Sequence, residues 1–426
     1  MKESCAISAA IIAGVLFFPL TVRAADPLPR AKPEEVGMSS ERLALIGKAI
    51  NAEIASGLTP GGVVAVARRG KLVYFEAFGY RDKAAGAPMT TDAIFSIASM
   101  TKPMVAVAAL QLYEHGRLLV DDPLAKYFPK FGDMQVAVLD AKKESIVERV
   151  PAARKITIQD LFRHTSGLSY GASGTTPVHK MYPPSSNVTS RTFTGTEFLD
   201  RLSTLPLAFQ PGTVWEYSLG LDILGLVIES IAEQSLGQYI QTNVWNPLGM
   251  TDTGFVVPVE KAARYARPLP NDPVTGLPQS VPSPMEKTKF ECGGACAVST
   301  AGDYLRFVQM LLNKGQFGDT RILGRKTVEY MLSNHLGPDV KNQIGMTTTI
   351  MPDYGFGLGL AVRVNPGIAP TTGSVGDFSW PGAFGTYWWG DPREELAAVW
   401  MTSTPGSARG NYMKMVRALV NQAITD

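Results

Sequence analysis

Ser99-Met100-Thr101-Lys102 sets a hydroxyl and an amine three residues apart, a spacing that on a helix brings both to one face and within reach of each other. No other serine in the chain has a lysine at that distance. A serine hydroxyl is a poor nucleophile until a neighbour takes its proton, and a partly buried amine can do so because burial disfavours its charged form. At a helix start, the Ser99 backbone N–H also points towards incoming negative charge. Tyr217-Ser218-Leu219, preceded by Pro211-Gly212, opens a second helical pattern. A phenol beside an ammonium is favoured as phenolate, so Tyr217 could accept the serine proton and return it to a leaving group. An ordinary hydrogen-bonded tyrosine is the alternative.

Gly167-Leu168-Ser169-Tyr170-Gly171 fits the Gly-x-Ser-x-Gly pattern, whose serine sits on a sharp turn from strand to helix. Here a helical pattern ending at His164 precedes it and a Gly/Ser/Thr loop follows. The only later histidines are His179 and His335, which argues against Ser169 as nucleophile. His164 precedes the serine and is expected to fix a loop by hydrogen bonding. Cys292 and Cys296 flank Gly293-Gly294-Ala295, and the glycines allow a turn tight enough for a disulfide. Two free thiols are the alternative. His115, His164, His179 and His335 are scattered, so no metal site and no cofactor is expected.

These residues need a scaffold, and the chain supplies one in three stretches. Ser39 to Ser56 has a helical period with Leu43, Ile46, Ile50 and Ile54 on one face. Gly62 to Ala67 and Leu72 to Ala77 read as a hairpin across Arg69-Gly70-Lys71, and Met100 to His115 as a helix stopped by Gly116. From Leu118 to Ser283, helical patterns alternate with Gly/Pro/Ser/Thr loops. A helix at Thr300 to Leu312 follows, then strands at Phe356 to Val364, Thr386 to Trp389 and Leu396 to Thr402, and a last helix from Tyr412 to Ile424. The expected class is α+β: one antiparallel sheet built from both chain ends (25–117 and 300–426), flanked by helices, with a mainly helical domain over 118–299. The cleft between the two is the expected site.

Composition narrows the partners. The formal net charge of the 426-residue chain is +2, and blocks of like charge are absent, which argues against nucleic acid. The apolar run from Cys5 to Val22, followed by Val22-Arg23-Ala24, reads as a signal peptide over 1–24 with cleavage after Ala24. Export to a periplasm or beyond is expected, with no stable membrane anchor after cleavage. A retained anchor is the rival, interrupted by Pro19.

Ser-Met-Thr-Lys, Tyr-Ser, the intervening Leu161-Phe162-Arg163-His164-Thr165-Ser166-Gly167-Leu168 and the later Ser299-Thr300-Ala301-Gly302-Asp303-Tyr304 together resemble the class C β-lactamase-like serine hydrolases, most closely the family VIII carboxylesterases. The resemblance implies an acyl-enzyme on Ser99, activated by Lys102, with Tyr217 as general base and acid. Where that superfamily carries a Lys-Thr-Gly-type strand, this chain reads Trp380-Pro381-Gly382-Ala383. The lysine that would hold a β-lactam carboxylate is missing. Trp380 instead offers a flat apolar wall, with core filling as its alternative. Pro381 cannot donate, so the oxyanion donors fall to the Ser99 and Ala383 N–H groups. The resemblance also places Leu219 where lactamases and peptidases carry Asn, which removes a polar contact to an amide side chain and again points towards ester substrates; Trp380, Gly382 and Leu219 are the expected substrate contacts. The expected activity is hydrolysis of short-chain esters, with a possible side activity on cephalosporins. The alternatives are a β-lactamase or D-Ala-D-Ala-type peptidase, an acyltransferase, and a β-lactam-binding sensor that is acylated without turnover.

Overall fold

The computed structural model describes residues 26–426, so the export segment read at 1–24 lies outside the described residues. Eight strands form the central antiparallel sheet: β1 (Gly61–Arg68), β2 (Lys71–Asp82), β3 (Ala87–Pro88), β4 (Tyr354–Phe356), β5 (Ala361–Arg363), β6 (Phe378–Ser379), β7 (Tyr387–Asp391) and β8 (Leu396–Thr402). Their order is β4-β5-β6-β7-β8-β1-β2-β3. The seam between the two chain ends is the β1/β8 ladder, running from Gly62 opposite Thr402 to Arg68 opposite Leu396. The β1–β2 turn uses Arg69 and Gly70, both at positive φ (51° and 72°), the geometry of a tight hairpin turn.

Every residue of β1 and β8 is buried, and alternation sends successive side chains into two different cores. Val63, Ala65, Ala67, Ala397, Val399 and Met401 face one, shared with α2 (Thr101–Glu114), α3 (Gly220–Ala232) and α4 (Ala301–Leu312). Val64, Val66, Ala398 and Trp400 face the other, covered by α1 (Ser40–Ala55) and α5 (Arg409–Asn421). Helix α1 starts where Ser39 caps the Arg42 N–H, and it buries Leu43, Ile46 and Ile50. Tyr217 touches both cores, so the candidate site sits at the sheet's end where they meet.

The expected strand at 356–364 is two strands. Gly359 (φ 84°) turns the chain between β4 and β5, its N–H bonded to the Phe162 carbonyl, and a Cβ there would lie 2.8 Å from that of Ala106. The segment between α2 and α4 carries helices and also a hairpin, Gln135–Leu139 with Ile146–Pro151, which the alternation of helical patterns did not reveal.

Candidate active site

Ser99 lies in a single 3₁₀ turn, Ala98–Met100, that runs directly into α2. Ala98, just before it, has φ 45°, a left-handed conformation unusual for a residue with a side chain. The turn is pinned from behind: the Tyr304 hydroxyl donates to the Met100 carbonyl (2.8 Å) and Thr101 Oγ1 to the Ala98 carbonyl (2.7 Å). Thus the Ser-Thr-Ala-Gly-Asp-Tyr segment, through Tyr304 on α4, supports the turn from below.

Tyr217 reaches Ser99 from 118 residues away, its Oη donating to Ser99 Oγ at 2.7 Å. The Leu161–Leu168 segment builds the shelf beneath it. Asp160, fully buried, accepts from Arg154 (2.5 and 2.9 Å), Arg163, Thr157 and Thr165. Burial pushes the Asp160 carboxyl up, but these partners outweigh it and hold the group below the usual carboxylate range. From that anchor the His164 and Thr165 carbonyls take the Glu216 and Gly212 N–H groups (3.0 and 2.7 Å), fixing the strand-like run that ends at Tyr217. His164 Nδ1 accepts from the Ser218 N–H (3.3 Å), and its ring lies 4.7 Å from that of Tyr217. Burial first and the Lys102 charge second push His164 well below its ordinary value, so it packs as a neutral ring.

Lys102 is wholly buried. Its Nζ donates to the Gly294 carbonyl (2.6 Å) and, at 3.4 Å, to Ser99 Oγ, and it stands 4.5 Å from the centre of the Tyr217 ring. The Gly294 carbonyl comes from the loop closed by Cys292 and Cys296, which are bonded, with Cα atoms 5.2 Å apart. Asp222 holds the same loop, accepting from the Gly294 N–H (2.9 Å) and the Ser186 hydroxyl (2.7 Å), and Ser186 in turn meets the Tyr170 hydroxyl (2.8 Å). Gly294 is needed for space: a Cβ would lie 2.5 Å from both Asp222 Oδ2 and Ser186 Oγ. Burial raises the Asp222 carboxyl to about 6, opposed by Lys102. Asp222, Gly294 and Tyr170 were not singled out from sequence. The available signal was one carboxylate in the otherwise apolar start of α3, Gly220-Leu221-Asp222-Ile223-Leu224.

Two clefts of about 490 and 410 Å³ meet at Ser99, Tyr217, Thr347, Ala383 and Arg409. The Ser99 and Ala383 backbone N–H groups have no hydrogen-bond partner among the described residues. Gly382 lines the first cleft, and a Cβ on it would lie 2.5 Å from the Ile97 carbonyl, so only glycine lets this turn approach the Ser99 turn. Trp380 borders the same cleft but is 2% exposed, packed edge-on to Phe356 and tilted against Tyr217. Its polar edge points into the site, where Nε1 donates to Tyr217 Oη at 3.2 Å. Leu219 lines neither cleft: it is fully buried in the core under α3, because its helix-start backbone turns the side chain inwards. The reading of Leu219 as a substrate contact is therefore corrected. Ser169 is also fully buried and donates to Glu216, whose carboxylate further meets His179 Nε2 (3.3 Å). Ser169 has no access to a substrate.

This arrangement on this sheet is that of a β-lactamase-fold serine hydrolase. The Beta-lactamase family model matches residues 47–422, and the chain belongs to that family, in line with its likeness to family VIII esterases. Protein Rv1367c of Mycobacterium tuberculosis is 38% identical over 354 residues, 81% of this chain and 86% of that protein. Esterase EstB of Burkholderia gladioli is 31% identical over 363 residues, again 81% and 86%. Among solved structures, EstCE1, a hydrolase with promiscuous acyltransferase activity, superposes with TM-score 0.72 at 28% identity, covering 89% of this chain and 98% of that one. Simvastatin Synthase (LovD) from Aspergillus terreus shares the fold, with TM-score 0.74 at 23% identity over 90% of this chain and 98% of that one.

Proposed function

We propose that the protein is a carboxylesterase that acts on short-chain esters through an acyl-enzyme on Ser99. The observation that carries this reading is the 2.7 Å contact of Tyr217 Oη with Ser99 Oγ at the junction of two clefts. Tyr217, as phenolate, takes the Ser99 proton as Oγ attacks the ester carbonyl. Lys102 and the Trp380 N–H stabilise the negative charge on the phenolic oxygen before that transfer. The Ser99 and Ala383 N–H groups receive the carbonyl oxygen as it becomes anionic. Tyr217 then hands the proton to the departing alcohol. In the second half the same phenolate takes a proton from water as the water attacks the acyl carbonyl, and passes that proton to Ser99 Oγ as the acid leaves, which restores the serine and the phenolate.

The two clefts give the acyl group and the alcohol separate seats, with Met346 over one and Ile350 in the other as apolar contacts. That separation also favours a second reading, acyl transfer to an alcohol other than water. Export belongs to the same proposal: a bonded Cys292–Cys296 pair suits an oxidising compartment. No helix among the described residues is long and apolar enough to cross a membrane.

The test is hydrolysis of p-nitrophenyl butyrate and of nitrocefin by the protein lacking residues 1–24, beside Ser99→Ala and Ser169→Ala. Ester turnover lost only in Ser99→Ala is the expected result. Dominant nitrocefin turnover would move the assignment to β-lactamase, and activity lost only in Ser169→Ala would overturn the mechanism.

A further inference from the structure

The missing lysine of the Trp380-Pro381-Gly382-Ala383 segment leads the sequence reading to a cleft without a cation for a substrate carboxylate. The fold brings one back from elsewhere. Arg409, the first residue of α5, borders both clefts beside Ser99 and Ala383. Among the described residues it is the only charged one lining the 490 Å³ cleft. In the 410 Å³ cleft the other charged group is Glu216, whose carboxylate is already occupied by Ser169 and His179.

The bonding of Arg409 is one-sided. Only Nη1 is engaged, donating to the Ala383 carbonyl (3.3 Å) and the Pro405 carbonyl (3.0 Å). No carboxylate among the described residues pairs with it, although most arginines near acidic groups here do pair, as Arg264 does with Asp252 and Asp92. The two carbonyls hold the guanidinium by one nitrogen and leave Nε and Nη2 without an internal partner. Those two nitrogens form the edge that matches both oxygens of a carboxylate in parallel hydrogen bonds. Arg409 is exposed, so this edge is open to solvent and to a ligand, and the partial desolvation of the group at the cleft lowers its pKa.

We propose that Arg409 receives a carboxylate on the substrate through its Nε/Nη2 edge, so that the preferred esters are anionic ones, such as half-esters of dicarboxylic acids. This rests on the esterase reading and names its substrate class. Arg409 also touches the Ala383 carbonyl, so it helps set the turn that offers the Ala383 N–H. Loss of Arg409 could then slow every ester, and the informative quantity is a ratio.

The experiment compares kcat/KM for p-nitrophenyl hydrogen glutarate, which carries a free carboxylate, with that for p-nitrophenyl butyrate, in the wild type, Arg409→Gln and Arg409→Lys. The anionic-to-neutral ratio is expected to fall about 10- to 100-fold in Arg409→Gln, the range for a charge-assisted pair. Arg409→Lys should recover part of it, and the wild-type preference should shrink as salt is raised from 0.05 to 0.5 M. A ratio within twofold of wild type in Arg409→Gln, with both esters slowed together, would overturn the proposal and leave Arg409 as a support for the Ala383 turn. A binding arm separates this from failure of the esterase reading. In the Ser99→Ala background, calorimetry on the intact glutarate ester should show the same 10- to 100-fold weakening when Arg409→Gln is added. If the wild type hydrolysed neither ester, the esterase reading would fall while this comparison still decided Arg409.

Discussion

Replacing Trp380 by Phe removes one hydrogen bond and keeps most of an aromatic cluster. The indole Nε1 is the only group among the described residues that donates to Tyr217 Oη (3.2 Å), while the ring packs 5.2 to 6.3 Å from Phe356, Tyr217 and Trp215. A hydrogen bond to a neutral oxygen contributes about 0.5–1.5 kcal/mol and one to a charged oxygen about 1.5–3 kcal/mol. Only the difference slows the reaction, because it is the part that favours forming the phenolate that takes the serine proton over the neutral Tyr217 that donates to Ser99. A difference of about 1–2 kcal/mol corresponds to a fall of roughly 5- to 30-fold in kcat. Since the phenolate is needed whether or not ester is bound, kcat and kcat/KM should fall together with KM unchanged. The matched control is Trp215→Phe, in the same cluster, whose indole N–H has no partner. It loses the same side-chain volume without the hydrogen bond. Steady-state hydrolysis of p-nitrophenyl butyrate well below both melting temperatures gives the comparison. Equal losses in the two variants, or a Trp380→Phe rate within twofold of wild type, would refute the reasoning that the indole supports the Tyr217 oxygen.

Further outcomes follow from the surroundings of Lys102. Gly294→Ala should lower kcat about 100-fold, because its Cβ would lie 2.5 Å from Asp222 Oδ2 and displace the carbonyl that positions Lys102; a loss under threefold would count against this. Asp222, raised from 3.8 to about 6 by burial, binds its proton more tightly when folded, so its effect on stability is most favourable below pH 4 and fades as pH rises through 6. Urea unfolding should then show wild type losing up to about 3 kcal/mol relative to Asp222→Asn between pH 4 and pH 7, and a pH-independent difference would contradict the assignment. Ser169→Ala should retain ester turnover but destabilise the fold by about 1–3 kcal/mol, since it strips a donor from the buried Glu216 carboxylate; denaturant melts beside the activity assay decide it.

What the sequence made legible is what is local. Strand-rich composition with turn residues located β1, β2 and β8, helical periods located the five long helices, and the Ser99–Lys102 spacing needed only one turn of α2. The β4–β5 turn escaped because Phe356-Gly-Leu-Gly-Leu-Ala-Val reads as one apolar run, and only packing on Ala106 and Phe162 shows why Gly359 bends it. Leu219 was misread for a related reason: its place in the chain was clear, but the direction of its side chain is set by the backbone angles at the start of α3. Trp380 was found, but the hydrogen bond of its indole N–H to Tyr217 depends on how the fold turns the ring. Asp222, Gly294 and Arg409 come to the site from three distant segments, and no short pattern joins them.

The β1/β8 seam also sets a timetable. Thr59 and Thr404, whose hydroxyls meet at 3.1 Å beside that seam, are 345 residues apart, so at roughly 5–20 residues per second a ribosome needs about 20–70 s between them. Until residues 382–402 have emerged, the Ser99 turn lacks Gly382 and Ala383 beside it and β1 has an open edge where β8 will pair. On the proposed mechanism the nascent chain therefore has a nucleophile with only one of its two oxyanion donors, and the second arrives only when synthesis is almost over.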